Sequence, residues 1–263
     1  RHSLDFIERH REKPFFLFVS HLAIHFPWQG PDDPPHRVAG RDYWNDKWGV
    51  IPDETNVAPH VKAMVESLDR SVGEIVATLH RLGLERRTLV FFASDNGGYL
   101  DYGGRFHHIS SNGPLRGQKT EVFEGGHRVP AIAHWPGRIE PGVSDQTVLT
   151  FDLFPTLLSL AGQDPPPEAP LDGVDLSPLL LDGKALAPRT LFWRMRTKRA
   201  VRQGPWKLVS LGDAAPMLFD LVADPGEQRD VAGQNPGVLA ALQAAFGEWE
   251  EDLGAGPGLE RTP

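Results

Sequence analysis

The sharpest periodicity in the chain runs through residues 59–82, where Val61, Val65, Leu68, Val72, Ile75, Leu79 and Leu82 recur at steps of four and three. That spacing predicts an α-helix with one apolar stripe, and Gly83 stands where a C-terminal cap belongs. Residues 2–12 carry a shorter amphipathic pattern around Leu4 and Ile7 that ends before Pro14. Two other stretches, Phe15-Phe16-Leu17-Phe18-Val19 and residues 88–93, are continuous apolar runs of strand length. Such runs are expected of strands buried on both faces. The order strand, loop, helix, strand argues for a parallel α/β sheet. Ligands of such sheets bind at the carboxyl ends of the strands, where residues 20–25 and 94–98 fall.

Between residues 23 and 59 the chain is aperiodic and rich in Pro, Asp, Trp and His, a long loop of the kind that usually serves function. Further on, residues 129–134 predict a strand, 146–150 a short strand, and 152–161 a helix with Asp152 as its N-cap. After a Pro-rich linker, short strand patterns recur at 191–193, 199–202, 206–211 and 217–221, and an amphipathic helix at 236–253. The expected organisation is an α/β domain over residues 1–170, then a linker and a small α+β subdomain over 171–263, an antiparallel sheet packed by one helix.

Composition narrows the chemistry. A formal net charge of −8, with acidic residues scattered rather than blocked, leaves no electrostatic footprint for nucleic acid. The absence of cysteine excludes disulfides, thiolate metal sites and cysteine nucleophiles within these 263 residues, and leaves the compartment open. No run approaches the roughly 18 apolar residues of a membrane span. The first residues hold no signal-peptide core and already sit in a helical pattern, which suggests a fragment.

The candidate chemistry gathers in residues 88–135. Asp95 and Asn96 follow a strand and precede Gly97-Gly98. A carboxylate beside an amide oxygen suits a hard cation such as Ca²⁺ or Mg²⁺, and Asp-Asn-Gly is equally good turn chemistry. Lys119, between Gly117 and Gly125-Gly126, is either a solvated surface lysine or a point charge that meets a tetrahedral oxyanion. Arg116 has the same two readings and is expected to brace the loop. Alternation puts His21 and His25 on one face of an extended segment, where a histidine could donate a proton to a leaving oxygen or simply close loop hydrogen bonds. His107 and His108 stand in a glycine-rich loop with no compelling reason to be catalytic, and His108 is the one kept as a substrate-binding candidate.

Three segments in order, Ser94-Asp95-Asn96-Gly97-Gly98, Gly113-Pro114-Leu115-Arg116-Gly117-Gln118-Lys119 and Glu124-Gly125-Gly126-His127-Arg128-Val129-Pro130, resemble successive signatures of the type I sulfatases. Weaker matches include Trp135-Pro136-Gly137, Asp152-Leu153-Phe154-Pro155-Thr156, Asp172-Gly173-Val174-Asp175-Leu176 and Gly204-Pro205-Trp206-Lys207-Leu208. The pattern looks closest to arylsulfatase and N-acetylgalactosamine-6-sulfatase-like members. The resemblance implies an alkaline-phosphatase-like α/β fold, a mostly parallel sheet flanked by helices, followed by the small antiparallel sheet. It also implies a sulfuric ester hydrolase acting on a small-molecule or carbohydrate sulfate, with one Ca²⁺, or Mg²⁺, in the site. Asp95 and Asn96 match the family's later pair of metal ligands, Lys119 its sulfate-binding lysine and His25 its histidine near the scissile oxygen. Periplasmic or secreted location is implied by the same resemblance.

The family's nucleophile is a formylglycine made from Cys or Ser in a Cys/Ser-x-Pro/Ala-x-Arg run. No such run occurs here, nor does the family's first aspartate pair, both expected upstream of Arg1. Gln118 stands where the family often has glycine, with little consequence expected. Two alternatives stay open: a phosphodiester or phosphonate hydrolase of the same superfamily, and a non-catalytic binding or structural remnant.

Overall fold

A computed structural model describes residues 1–34, 40, 42, 56–100, 102, 106, 109–168 and 171–253. The contacts divide the chain into two units, Arg1–Phe91 with Asp101–Ile109 and Ala133–Gly142, and Phe92–Leu100 with Ser110–Ile132 and Val143–Pro263.

In the first unit, helices α1 (His2–His10) and α2 (Ala58–Arg81) realise the two amphipathic patterns. The α2 stripe is buried at its two ends, Val61 and Leu79, whereas Val65 within it is exposed and Met64, outside it, is buried. Val61 and Met64 at the helix start pack with Trp28, Val57 and Phe106, while Leu79 near the helix end packs with Ile7 and Leu84. The end of α2 is set by Gly83 at φ +67°. The Gly83 N–H donates to the His80 carbonyl at 2.9 Å and the Leu84 N–H to the Leu79 carbonyl at 2.8 Å, the pair of bonds of a Schellman cap, with Leu84 buried against Leu79.

Strands β1 (Val90–Ala93) and β2 (Ala131–His134) form a two-stranded sheet. The apolar run at 15–19 is not a strand. Phe15 and Leu17 pack on the Leu79 cluster, whereas Phe16 and Phe18 are 70% and 78% exposed. An apolar run predicts burial on both faces only when both faces are covered. Among the described residues this one has no ladder partner, and only one side of it, with Phe15 and Leu17, is half-buried.

The second unit is built on a four-stranded antiparallel meander in the order β3 (Thr190–Met195), β4 (Lys198–Gln203), β5 (Trp206–Leu211) and β6 (Met217–Asp220). Its register pairs Ala200 with Val209, Val201 with Leu208, and Leu208 with Leu218. Alternation then sorts the side chains. Val201, Leu208 and Leu218 face Leu242 and Phe246 of the C-terminal helix Pro236–Asp252, and Ala200, Val209 and Phe219 face Val122 and Phe123. The expected sheet packed by one helix is therefore present.

Two local expectations fail in the structure. Residues 146–149 are irregular rather than a strand, and Thr150–Asp152 is a short 3₁₀ turn. Asp152 does not cap the helix Leu153–Leu160 with its side chain. Its buried carboxylate instead accepts the Leu149 and Val174 N–H groups at 2.7 and 3.0 Å and a two-pronged contact from Arg189 at 2.7 and 2.6 Å. A fully buried charge needs an opposite charge more than a helix needs one cap, so the arginine wins. Burial raises the Asp152 pKa and the Arg189 and backbone bonds outweigh it, leaving the carboxyl below its usual range.

Candidate functional site

The three signature segments belong to one unit and are knitted together largely through backbone groups. Gly97 N–H donates to the Gly126 carbonyl at 3.0 Å, Gly125 N–H to the Arg116 carbonyl at 2.7 Å, and Lys119 N–H to the Gly98 carbonyl at 3.3 Å. A β-carbon on Gly97 would stand 1.8 Å from the Gly125 carbonyl oxygen, and one on Gly126 would stand 2.1 Å from that of Glu121. Both glycines are thus required by close approach, whatever their backbone angles.

Asn112 joins the same segments with its side chain. Its Oδ1 accepts the Gly98 N–H at 2.8 Å, and its Nδ2 donates to the carbonyls of Gly98 at 3.0 Å and Gly117 at 2.9 Å. Sequence reasoning passed over it, and an asparagine ahead of a Gly-Pro turn is the signal that could have drawn attention. Gln118 is not idle either, since its Oε1 accepts the Leu100 N–H at 2.7 Å. Thr120, directly after Lys119, holds φ +74°, a left-handed conformation that a β-branched residue adopts only under constraint from its surroundings.

On this scaffold Asp95 is exposed and its carboxylate makes no hydrogen bond or ion pair among the described residues. Asn96 Nδ2 donates to the Gly97 carbonyl at 3.0 Å, which leaves Oδ1 as a bare acceptor. Lys119 is half-buried, and its ammonium has no partner among the described residues. The structure therefore brings Asp95, Asn96 and Lys119 into one loop cluster in which the Asp95 carboxylate, Asn96 Oδ1 and the Lys119 ammonium are unengaged among the described residues. Two adjacent oxygen donors fit a hard divalent cation, although among the described residues no group of three or more His, Asp or Glu side chains is placed to hold a metal ion.

His25 lies in the other unit, exposed, with Nδ1 at 2.6 Å from the Phe26 carbonyl. A carbonyl only accepts, so Nδ1 carries a proton and Nε2 is the nitrogen left for chemistry. His108, with His107, falls outside the described residues.

Beneath the loops lies a charged cluster that the sequence reading did not anticipate. Lys207 is fully buried on the inner face of β5, two residues from Val209. Its Nζ stands 2.8 Å from Glu124 Oε1 and 2.9 Å from Glu227 Oε1, and 3.2 Å from His127 Nε2. Arg202, paired with Lys207 across the sheet, reaches Glu124 Oε2 at 3.4 Å. Glu227 also accepts the Glu124 N–H at 2.6 Å. Burial raises the Glu124 pKa, and Lys207, His127 and Arg202 together outweigh it, so the group ends below its usual value. Burial dominates at Glu227 and pushes it up. Burial and the neighbouring Lys207 lower His127 to about 4, against the partial opposition of Glu124, so His127 is neutral at pH 7. A lysine at an inward position of the run Trp206-Lys207-Leu208-Val209 was the legible hint, because an inward lysine demands a partner.

The sulfatase family model matches residues 1–163. The chain belongs to the sulfatase family. Bovine arylsulfatase A is 37% identical over 90% of this sulfatase chain and 48% of its own length. Mouse N-acetylgalactosamine-6-sulfatase is 38% identical over 78% of the chain and 36% of its own length. The crystal structure of Ps i-CgsB superposes with a TM-score of 0.77 at 27% identity, over 94% of this chain and 53% of that one. The chain thus spans between about a third and a half of the curated relatives named, and the sulfatases it superposes on have the alkaline-phosphatase-like fold expected from the signatures.

Proposed function

We propose that the loop cluster of Asp95, Asn96 and Lys119 is the metal- and sulfate-binding part of a sulfuric ester hydrolase, with carbohydrate sulfates as its substrate class. The observation that carries the reading is the unengaged trio on a backbone-tied frame: carboxylate and amide oxygens for a cation beside an ammonium for an anion. Relatives named as N-acetylgalactosamine-6-sulfatases support the choice of a sugar sulfate.

In this reading Asp95 and Asn96 would hold Ca²⁺ through their side-chain oxygens, and the ion would supply Lewis-acid polarisation of the sulfate group. Lys119 contributes a fixed positive charge to the transferring group, and its role grows as negative charge develops on the oxygens in the transition state. His25 donates from Nε2 to the departing alcohol oxygen while Nδ1 stays on the Phe26 carbonyl. The balance of the reaction is water plus sulfate ester giving alcohol and hydrogen sulfate. The nucleophile is the formylglycine that the family resemblance implies, and it belongs to no residue of this sequence. Export from the cytoplasm, to the periplasm or the medium, completes the proposal.

The test is a pair of single variants in the protein that carries this chain. Lys119→Ala lowers kcat/KM for a sulfate monoester by about 100-fold or more, with folding intact by circular dichroism. Asp95→Ala weakens Ca²⁺ affinity measured by calorimetry. Unchanged turnover in the first and unchanged Ca²⁺ affinity in the second would reduce Asp95-Asn96-Gly97-Gly98 to a turn and Lys119 to a surface lysine.

A further inference from the structure

Lys119 is placed by its loop, and the loop is placed from below. Arg116, three residues before Lys119, reaches away from the cluster: its Nη1 donates to the Glu227 carbonyl at 2.9 Å and its guanidinium lies 4.0 Å from the centroid of the Phe123 ring. Glu227 itself sits at φ +52° and is fully buried, in a turn whose N–H groups at Gln228 and Arg229 are held by Asp224 Oδ2 at 2.7 Å each. Its Oε2 takes the Glu124 N–H, which opens the short helix Glu124–His127. Through that helix Gly125 N–H bonds Arg116 and the Gly126 carbonyl accepts Gly97 N–H. One buried residue of the C-terminal region therefore contacts the Lys119 loop with its backbone and the helix that anchors the Asp95–Asn96 loop with its side chain.

We infer that Glu227, held by the buried ammonium of Lys207, is a positioning residue for sulfate binding that acts through Arg116 on Lys119. This rests on the proposed sulfate-binding role of Lys119. A merely structural role does not account for the geometry of Glu227. A buried glutamate that only neutralised Lys207 would need no left-handed backbone and no bond from Arg116, because Glu124 already lies at 2.8 Å from the same Nζ. The left-handed turn turns the Glu227 carbonyl toward Arg116 while the carboxylate remains beside Lys207 and Glu124. Strained backbone of this kind persists only where the surrounding contacts fix it.

The deciding experiment is a double-mutant cycle in the protein that carries this chain, reading the inhibition constant of inorganic sulfate and kcat/KM for a sulfate monoester. Glu227→Gln, nearly isosteric, keeps an acceptor for the Glu124 N–H and removes the charge facing Lys207. It is expected to weaken sulfate inhibition by about 10-fold, since small misplacements of binding groups carry penalties of that order or larger. Arg116→Lys keeps the loop's charge and loses the reach to the Glu227 carbonyl. It leaves the buried carboxylates untouched, and the same direction of effect is expected if Glu227→Gln fails to fold. In a Lys119→Ala background either change should add less than about 2-fold, because residues acting through one group are non-additive. Full-size effects of Glu227→Gln and Arg116→Lys in that background, or none in the wild type, would overturn the inference. If Lys119→Ala alone leaves sulfate inhibition unchanged, the sulfate-binding reading fails and the inference falls with it, an outcome distinct from the other two.

Discussion

His127 shows how much a single side chain can be governed by its neighbours. Its ring stacks on Trp193 at 4.4 Å between centroids, and its Nε2 meets both the Val122 carbonyl and the Lys207 ammonium at 3.2 Å. Burial and Lys207 hold its pKa near 4, against roughly 6.5 in an unfolded chain. Between those values the unfolded chain takes a proton that the folded chain refuses, so the unfolding free energy should fall as pH drops from about 6.5 toward 4. The full window is worth on the order of 3 kcal/mol. Chemical denaturation at pH 7 and pH 5 should show a smaller loss in His127→Gln than in the wild type, and identical losses would show that His127 titrates normally. Asp152 works in the same direction in the lower, carboxylate range of pH. Its depressed pKa contributes stability above the usual carboxylate range that is lost as pH falls below it, and Asp152→Asn, which breaks a buried pair with Arg189, should cost about 3 kcal/mol or more in urea unfolding.

At the scale of elements, the site is a matter of loops held at backbone distance. Gly97→Ala would place a methyl group inside the Gly125 carbonyl oxygen, so the Asp95 and Gly125 loops must part. The expected cost is about 2–4 kcal/mol in unfolding free energy, together with loss of Ca²⁺ affinity; a variant of wild-type stability would contradict the close packing. By contrast Gly73, on α2, has open space around its missing β-carbon. Gly73→Ala should stabilise the protein by roughly 0.5–1 kcal/mol, because alanine is the better helix former. The difference between these glycines cannot be read from composition. It lies in what each faces.

Across the whole molecule, what was legible in the sequence was whatever depends on local period. The stripe of α2, its Gly83 cap and the alternation of β4 to β6 follow from side chains a few residues apart. The loop signatures were legible as motifs, and the structure ties their backbones together; the roles of Asp95, Asn96 and Lys119 remain the proposal. What failed depends on partners far along the chain. Residues 15–19 are apolar throughout, yet only neighbours decide whether Phe16 and Phe18 are covered. Asp152 looks like a cap until Arg189, 37 residues later, claims its carboxylate. Glu124, Lys207 and Glu227 are separated by 83 and 103 residues from the first to the others, and no short-range pattern connects them. His25 and the Asp95 cluster belong to different units, so their cooperation is a chemical proposal and not a distance.

The central claim is that this chain contributes the cation and sulfate sites of a sulfuric ester hydrolase. Its most direct test compares, in the protein that carries the chain and with Ca²⁺ present, sulfate released from an N-acetylgalactosamine-6-sulfate substrate with phosphate-ester cleavage of a phosphodiester. Sulfate release should dominate and should collapse in Lys119→Ala. A dominant phosphodiesterase rate, or sulfate release indifferent to Lys119, would contradict it.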